Sequence, residues 1–517
     1  MRSSIKFILV CILACLLILM TACESSKVSN IISDIDNQKT TASTIDNNSN
    51  ENKKNKNANG QKKSTTLTTR PELTITTQKG DMPIKKLIER TKSDDGNPTE
   101  EFIKNLRGFK LKILNPWPYY KCNTEPYNSA EYVKSIVERK YGVFIDEGGY
   151  FEDYEEDLDE KLDNNKVDAS IYKVRNVNFS KYLDKEYISS LNKAMKISGV
   201  TFKEEWYLQD TTKYLKINNN QYGWLGYDSE YAFPYLIIYN RDLFKKLNLE
   251  DPVELMNQKK WTWDKLEDYS QKLIGKFDCS GIAISDVSTF LSAMLATKNT
   301  SILSTIEGKL KYNINSVTLK HCVQTLENWS KKAVVDLYTG EEWDYAKKQF
   351  SNGDAAMILG SNDILNSIKN SSIKSVGIVP FPIENKSDKY TTVYTPQYID
   401  FIPKGYSVED MAKILFIRNE MYRYAYTLSD RDFKYVYKDY KFDNSTLNRA
   451  YELKYKSPFK KLPMLESLYV PINSDVSLSG IVQELFVNSK NDNAYKEHND
   501  LIQKESDRFW EKYKIIN

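Results

Sequence analysis

The sequence predicts an α/β protein built on a parallel, helix-covered sheet, with enough chain for two domains. Three observations carry this. Between Phe109 and Tyr172 the pattern reads strand, helix, strand, helix, strand, an order that implies parallel pairing through helical crossovers. The run Leu236-Ile237-Ile238-Tyr239 is apolar without alternation, as a strand buried on both faces requires. The chain has 517 residues, too many for one ordinary core.

Taken in order, residues 1–22 read as a secretory signal. Arg2 and Lys6 precede an unbroken apolar run from Phe7 to Met20, which is short for a membrane span of ~20 residues and suits a signal-peptide core. Met20-Thr21-Ala22-Cys23 resembles a bacterial lipobox, with Met where Leu is usual. By that resemblance cleavage leaves Cys23 as a lipidated N-terminus on the outer face of the cell membrane, and several acyl chains hold a protein there where one does not. From residue 24 to residue 101 there is no Phe, Trp or Tyr, and Asn, Lys, Ser, Thr, Asp and Gln dominate. Such a segment buries too little apolar surface to offset ordering entropy. Residues 23–101 are therefore expected to be a lipidated cysteine and its solvated tether, with one or two helical turns allowed over 82–90.

The folded body is expected from Gly108. Phe109 to Leu114 alternates as a strand, and Ser129 opens a helix with Tyr132, Val133, Ile136 and Val137 inward. A second strand follows at 143–145, an acidic amphipathic helix at 151–163 and a third strand at 167–172. That helix lacks the central Gly of a calcium loop, so its acidic face reads as solvated. Gly223 and Gly226 permit tight bends. After the 236–239 strand, Asn240 stops the run, and Leu243, Phe244 and Leu247 share one helical face. Thr262 is placed to cap the helix that begins at Trp263, with Asp264 and Glu267 in its positive first turn. A strand is expected at 281–284, a buried helix at 289–295, a helix at 319–332 and an amphipathic helical tail that docks Phe509, Trp510 and Tyr513.

Residues 235–276 strongly resemble the YNKDLF…GL…P…WTWDEF segment of family 1 extracellular solute-binding proteins, the maltose-binding-like receptors of ABC importers. The resemblance extends over 108–430: Val167–Tyr172 stands for the family's PDV strand, Ser351–Gly360 for its F-xGkaAM signature, Gly377–Pro382 for gv-p-P, and Tyr394–Gly405 for the return crossing. The family's Trp after AM--G is replaced by Ser361-Asn362-Asp363. In that family the strand before the Tyr-Asn pair crosses between lobes. The resemblance implies a type II periplasmic-binding-protein-like fold of two discontinuous α/β lobes around a cleft. Lobe 1 is expected over 108–238 and 400–465, and lobe 2 over 240–395 and 466–517.

Residues just before a crossing, and at the ends of parallel strands, face such a cleft. That places Trp117, Tyr119, Trp224, Tyr227, Asp228, Asn362, Asp363, Tyr394, Gln397 and Tyr398 as candidate ligand contacts. Flat aromatics cover the C–H face of a sugar, while Asp, Asn and Gln bind its hydroxyl rim. The implied ligand is a carbohydrate captured by hinge closure, and the implied partners are the membrane-spanning permease subunits. For each of these residues packing or capping is the plain alternative.

Composition narrows the classes. Lys plus Arg is 73 against 70 for Asp plus Glu, so no basic surplus argues for nucleic acid. The two histidines, His321 and His498, stand apart from any cysteine cluster, which speaks against a zinc site or a Ser-His-Asp triad. No CxxC, P-loop, GxSxG or GxGxxG is present, and no cofactor is implied. Cys122, Cys279 and Cys322 read as free thiols, with one disulfide allowed among them. A secreted glycosidase remains an alternative, because Asp228 and Asp363 could flank a scissile bond. A surface sensor lipoprotein on the same fold is the other.

Overall fold

The computed structural model describes residues 98–116, 129–149, 153–226, 234–306, 309–337, 344–361, 363–368, 371–396, 398–436, 444–455, 459–465, 481, 484–486 and 491–512. These belong to one compact unit, Glu72–Asn517. The other unit, Met1–Pro71, with Cys23 and the expected signal peptide, lies outside the described residues, as does the tether as far as residue 97.

Thr99 caps α1 (Glu100–Lys104) by accepting from Phe102 N at 3.2 Å. The chain enters β1 (Lys110–Asn115), where Leu111 and Ile113 are buried and Lys110 is exposed. In α2 (Ser129–Tyr141) Val133 and Val137 form the buried stripe. Tyr132, expected inward, is exposed and Ile136 is half-buried, because each lies ~100° round the helix from the i, i+4 stripe. β2 (Phe144–Gly149), α3 (Tyr154–Asp163) and β3 (Ile171–Arg175) follow, with β1 parallel to both β2 and β3. β3 begins later than expected. Asp168 takes a 2.7 Å hydrogen bond from the Tyr172 hydroxyl and pairs with Lys112 and Lys161, holding the chain out of the ladder until Ile171. On α3 the acidic face is not simply solvated: Asp157 pairs with Lys161, Asp159 with Lys181, and Asp163 with Lys185.

Next come α4 (Phe179–Asp184), α5 (Asn192–Ser198), α6 (Gln209–Thr212) and a small antiparallel hairpin, β4 (Lys216–Ile217) and β5 (Asn220–Gln221). Its turn residues Asn218 and Asn219 both take positive φ, which asparagine tolerates. Gly223 and Gly226 serve packing rather than bending. A Cβ at Gly223 would stand 2.8 Å from Ile399, and one at Gly226 1.9 Å from the Tyr422 ring.

The second half opens with β6 (Leu236–Asn240), buried at all five positions. Asn240 accepts from Asp242 N and caps α7 (Arg241–Lys246). Asp251 caps α8 (Pro252–Asn257), and Thr262 caps α9 (Trp263–Ile274) by accepting from Lys265 N at 3.3 Å. β7 (Ser280–Ile284) leads through the Asp286 cap into α10 (Val287–Thr297), buried along its whole length. The hairpin β8 (Leu303–Ile306)–β9 (Lys309–Tyr312), α11 (Val317–Lys331), β10 (Val335–Leu337), α12 (Tyr345–Asn352), β11 (Ala355–Gly360), α13 (Asp363–Ile368) and β12 (Val376–Val379) complete this part. The strands form one sheet in the order β10-β7-β11-β6-β12, in which only β6 runs antiparallel to its neighbours. The strand before the Tyr-Asn pair is therefore not itself the crossing. It lies wholly inside the second sheet, and the passage precedes it.

After β13 (Thr391–Tyr394), β14 (Tyr398–Phe401) pairs antiparallel with β3 and closes the first sheet as β14-β3-β1-β2. The long α14 (Val408–Val436) packs on α2 and α5. α15 (Asn444–Tyr455) does not join it. It packs on β12, burying Ala450 and Leu453, while Thr446 donates to Val376 O at 2.8 Å. β15 (Lys460–Pro463) pairs with β13. The stretch 444–463 thus sits with second-half elements, whereas the expected boundary at 465 puts it with the first. α16 (Asp492–Lys512) lies on β9 through Gln503, which donates to Leu310 O and accepts from Tyr312 N. The side chains of Phe509, Trp510 and Tyr513 lie outside the described residues.

Candidate functional site

Ligands of open α/β sheets bind beyond the carboxyl ends of the strands. On the first sheet that edge holds Asn115, Gly149 and Arg175, with Tyr398 entering opposite Arg175. On the second it holds Ile284, Leu337, Gly360 and Val379, with Leu236 entering opposite Gly360. Two passages join the sheets, one between Trp224 and Leu236, the other between Tyr394 and Tyr398. They are held side by side. Trp224 exchanges backbone hydrogen bonds with Asp400 at 3.1 and 3.0 Å, and Tyr235 N donates to Val393 O at 2.7 Å. Tyr394 ends β13, and the four peptide steps from it to Tyr398 reach at most ~14 Å, so the return passage runs from beside Tyr235, which precedes the edge position Leu236, to the first-sheet edge position Tyr398.

The first edge is polar. Asn115 Nδ2 donates to Glu147 Oε1 at 3.3 Å, and Arg175 pairs with Glu155 at 3.3 Å. Behind it, in β14, sits Asp400, 1% exposed. Its Oδ2 accepts from Arg418 Nε at 3.0 Å and from the Tyr422 hydroxyl at 2.6 Å, and Lys173 Nζ stands 3.9 Å from Oδ1. Burial alone would push the Asp400 carboxyl up. The Arg418 guanidinium, the Lys173 ammonium and the Tyr422 hydroxyl outweigh it and hold the group below the usual carboxylate range. Sequence reasoning passed over this cluster. Its signal was a charge inside each of two apolar stretches, Tyr398–Pro403 and Ile414–Ile417 followed by Arg418.

The second edge carries Asp336, which accepts from the Tyr345 hydroxyl at 2.9 Å, and Ser285, which accepts from Ala346 N at 3.1 Å. Asp363 is the first residue of α13, three positions past the end of β11.

The sequence-derived candidates divide into three groups. Trp224 is fully buried, stacked on Phe202 with ring centres 5.6 Å apart and planes 11° apart. Its indole belongs to the first-lobe core with Tyr207 and Tyr422, so it is a packing residue rather than a ligand platform. Tyr394 is buried too, its hydroxyl 2.5 Å from that of Thr211, so it joins β13 to α6 instead of facing open space. Tyr398 and Asp363 stand at the two carboxyl edges; Tyr398 is largely buried there, 8% exposed, and the side chain of Asp363 lies outside the described residues. Trp117, Tyr119, Tyr227, Asp228, Asn362 and Gln397 lie outside the described residues.

Other features are structural. His321 stacks on Trp263 and meets Glu384 at 2.8 Å. Cys279 and Cys322 are both free, and Cys122 lies outside the described residues. Among the described residues no three His, Cys, Asp or Glu side chains are grouped to hold a metal ion, and no helix is long and apolar enough to cross a membrane.

Residues 143–400 match the family model described as bacterial extracellular solute-binding protein. Among solved structures, the chain is similar to an ABC substrate-binding protein from Listeria monocytogenes in complex with cycloalternan. The identity is 15%, with 77% of this chain and 98% of that one covered and a TM-score of 0.52. It is similar to the GacH receptor of Streptomyces glaucescens, solved unliganded and with acarbose, at 11% identity over 77% and 99% of the two chains, TM-score 0.51. A cyclo/maltodextrin-binding protein complexed with maltotetraose matches at 13% identity over 78% and 97%, TM-score 0.51. No curated protein matches the sequence. At these identities the structural likeness defines the fold, which is the type II periplasmic-binding-protein-like arrangement of two α/β lobes.

Proposed function

Because the chain belongs to the bacterial extracellular solute-binding protein family, we propose that it is the receptor of an ABC importer and that its solute is a sugar or oligosaccharide. The observation that carries the reading is the paired crossing: the outgoing and returning passages between the two sheets run side by side, bridged at Trp224 with Asp400 and at Tyr235 with Val393. The structures of similar fold described with cycloalternan, acarbose and maltotetraose support a saccharide. Asp363 and Tyr398, at the two edges, and Trp117, Tyr119, Tyr227, Asp228, Asn362 and Gln397 are the candidates for the aromatic faces and hydroxyl partners that a saccharide needs. A carboxylate on a sugar hydroxyl is worth ~1.5–3 kcal/mol net, so a few such contacts support micromolar capture. The ligand touches both lobes only when they close, and closure is driven by that difference in affinity. The loaded receptor then docks on its permease. Lipid on Cys23 keeps it at the outer face of the cell membrane, and the segment after Cys23 acts as the tether, ending before the Thr99 cap of α1 rather than at residue 101, because Phe102 is already buried in the first-lobe core. No catalytic step is assigned, in keeping with a family of binding proteins.

The test is a thermal-shift screen of the mature chain against mono- and oligosaccharides, polyols and amino acids, since a binder raises the melting point by mass action. A saccharide that stabilises the wild type, and does so less in Asp363→Ala and Tyr398→Ala, fits the reading. A panel in which only amino acids stabilise it contradicts the solute class. Cys23→Ser should release the protein from membranes, and retention would contradict the anchor.

A further inference from the structure

A cavity of about 680 Å³ opens on the first lobe beside α5 and the β4–β5 hairpin. None of its lining residues belongs to β1, β2, β3 or β14, so it is distinct from the carboxyl edges described above. Its volume falls in the small-molecule range of roughly 300–1,000 Å³.

The wall has two chemical halves. Met195, Val200 and Phe202 give it an apolar side. Phe202 holds φ at 58°, a left-handed conformation that a bulky side chain seldom adopts. It is fixed there by its stack on Trp224 and an edge contact with Tyr207 at 5.0 Å. Backbone held this way is found disproportionately at ligand sites. The other half is cationic: Lys196, Lys203, Lys213 and Lys216 against the single carboxylate of Asp210, an excess of three positive charges. Asp210 is already paired with Lys213 at 3.8 Å. Among the described residues no carboxylate pairs with Lys196, Lys203 or Lys216.

We propose that this cavity is a second ligand site that takes a small organic anion, with a ring or apolar body on the Met195–Phe202 side and a phosphate or carboxylate head among the lysines. Ammonium groups make charge-assisted hydrogen bonds to such heads without demanding one planar geometry. The apolar side selects against the bare inorganic ion. The proposed saccharide site calls for aromatic faces and hydroxyl partners but no cluster of ammonium groups, so the two sites take different chemistry.

The experiment is calorimetric titration of the mature chain with phenyl phosphate and benzoate, alongside inorganic phosphate as head alone and benzyl alcohol as body alone. The expected result is one saturable site for phenyl phosphate or benzoate, about tenfold tighter than for either fragment. Lys203→Ala combined with Lys216→Ala should weaken it about tenfold or more at an unchanged melting point, and Val200→Ser should reduce the preference over inorganic phosphate. No saturable binding of either organic anion overturns the proposal, and so does binding that the lysine variant leaves unchanged. Saccharide titration of the same variants reads the cleft separately. A failure here with saccharide binding intact leaves the receptor reading standing, and the reverse result leaves this site standing.

Discussion

Arg418 Nε donates to Asp400 Oδ2 at 3.0 Å, with both side chains almost fully buried. This contact fastens α14 to the strand that brings the chain back into the first sheet. The backbone of Asp400 is at the same time bridged to Trp224 on the outgoing passage. One residue thus registers both crossings, by its main chain on one side and its carboxylate on the other. Arg418→Met keeps the volume and removes the guanidinium, leaving a buried carboxylate short of its main cation. The expected loss in urea unfolding is about 3–5 kcal/mol. Because the folded carboxyl titrates below its unfolded value of ~3.9, its contribution is complete above about pH 5 and is lost as pH falls through the folded value. Wild type should therefore lose more stability between pH 5 and pH 3 than Asp400→Asn does. Equal losses would show that Asp400 is not the group titrating.

Trp224 sits against Phe202, Tyr207 and Tyr422 with no exposed surface. Truncation to Ala should act through a cavity, at about 3–5 kcal/mol. Denaturation should register that loss, while saccharide affinity extrapolated to the folded fraction stays within about twofold. A stable variant with abolished affinity would restore the platform role.

At Gly226 a single methyl would meet the Tyr422 ring. Gly226→Ala must displace that ring, and with it the hydroxyl that bonds Asp400. The expected cost is about 1–3 kcal/mol from over-packing. Combined with Tyr422→Phe, the substitutions should cost less than the sum of each alone, because both disturb one contact. Strict additivity in the double-mutant cycle would contradict the shared cause.

Cys322 is buried in α11, and burial pushes its thiol up to about 12, with Glu384 adding to the effect. Cys279 is half-buried and its thiol is raised as well. At pH 8 an aromatic disulfide reagent should label Cys279 slowly and Cys322 only after unfolding. Rapid native labelling of Cys322 would show α11 opening locally.

Much of the fold was legible because it rests on local signals. Thr262 caps the helix that its position announced, Asn240 ends the strand and also caps the helix after it, and the continuous apolar run at 236–239 is an interior strand of a sheet. What sequence could not show was partnership at long range. Nothing near Leu236 tells that β6 runs antiparallel inside the second sheet, since register comes from strands more than a hundred residues later. The helix α15 falls within the segment expected in the first lobe, yet packs on β12 because Thr446 and Leu453 find partners there. For the site, position relative to the crossings was legible but facing was not. Trp224 and Tyr394 occupy the expected stretches with their rings turned into the core, and Asp400 is identified only once Arg418 lies beside it.

Calorimetric titration of the mature chain with the best saccharide of the screen, read together with the radius of gyration by small-angle scattering, tests two-lobed capture most directly. We predict one site per chain and a radius that shrinks on saturation as the lobes close. Saturable binding at an unchanged radius would contradict capture by closure, and the absence of any one-to-one saccharide complex would contradict the receptor assignment itself.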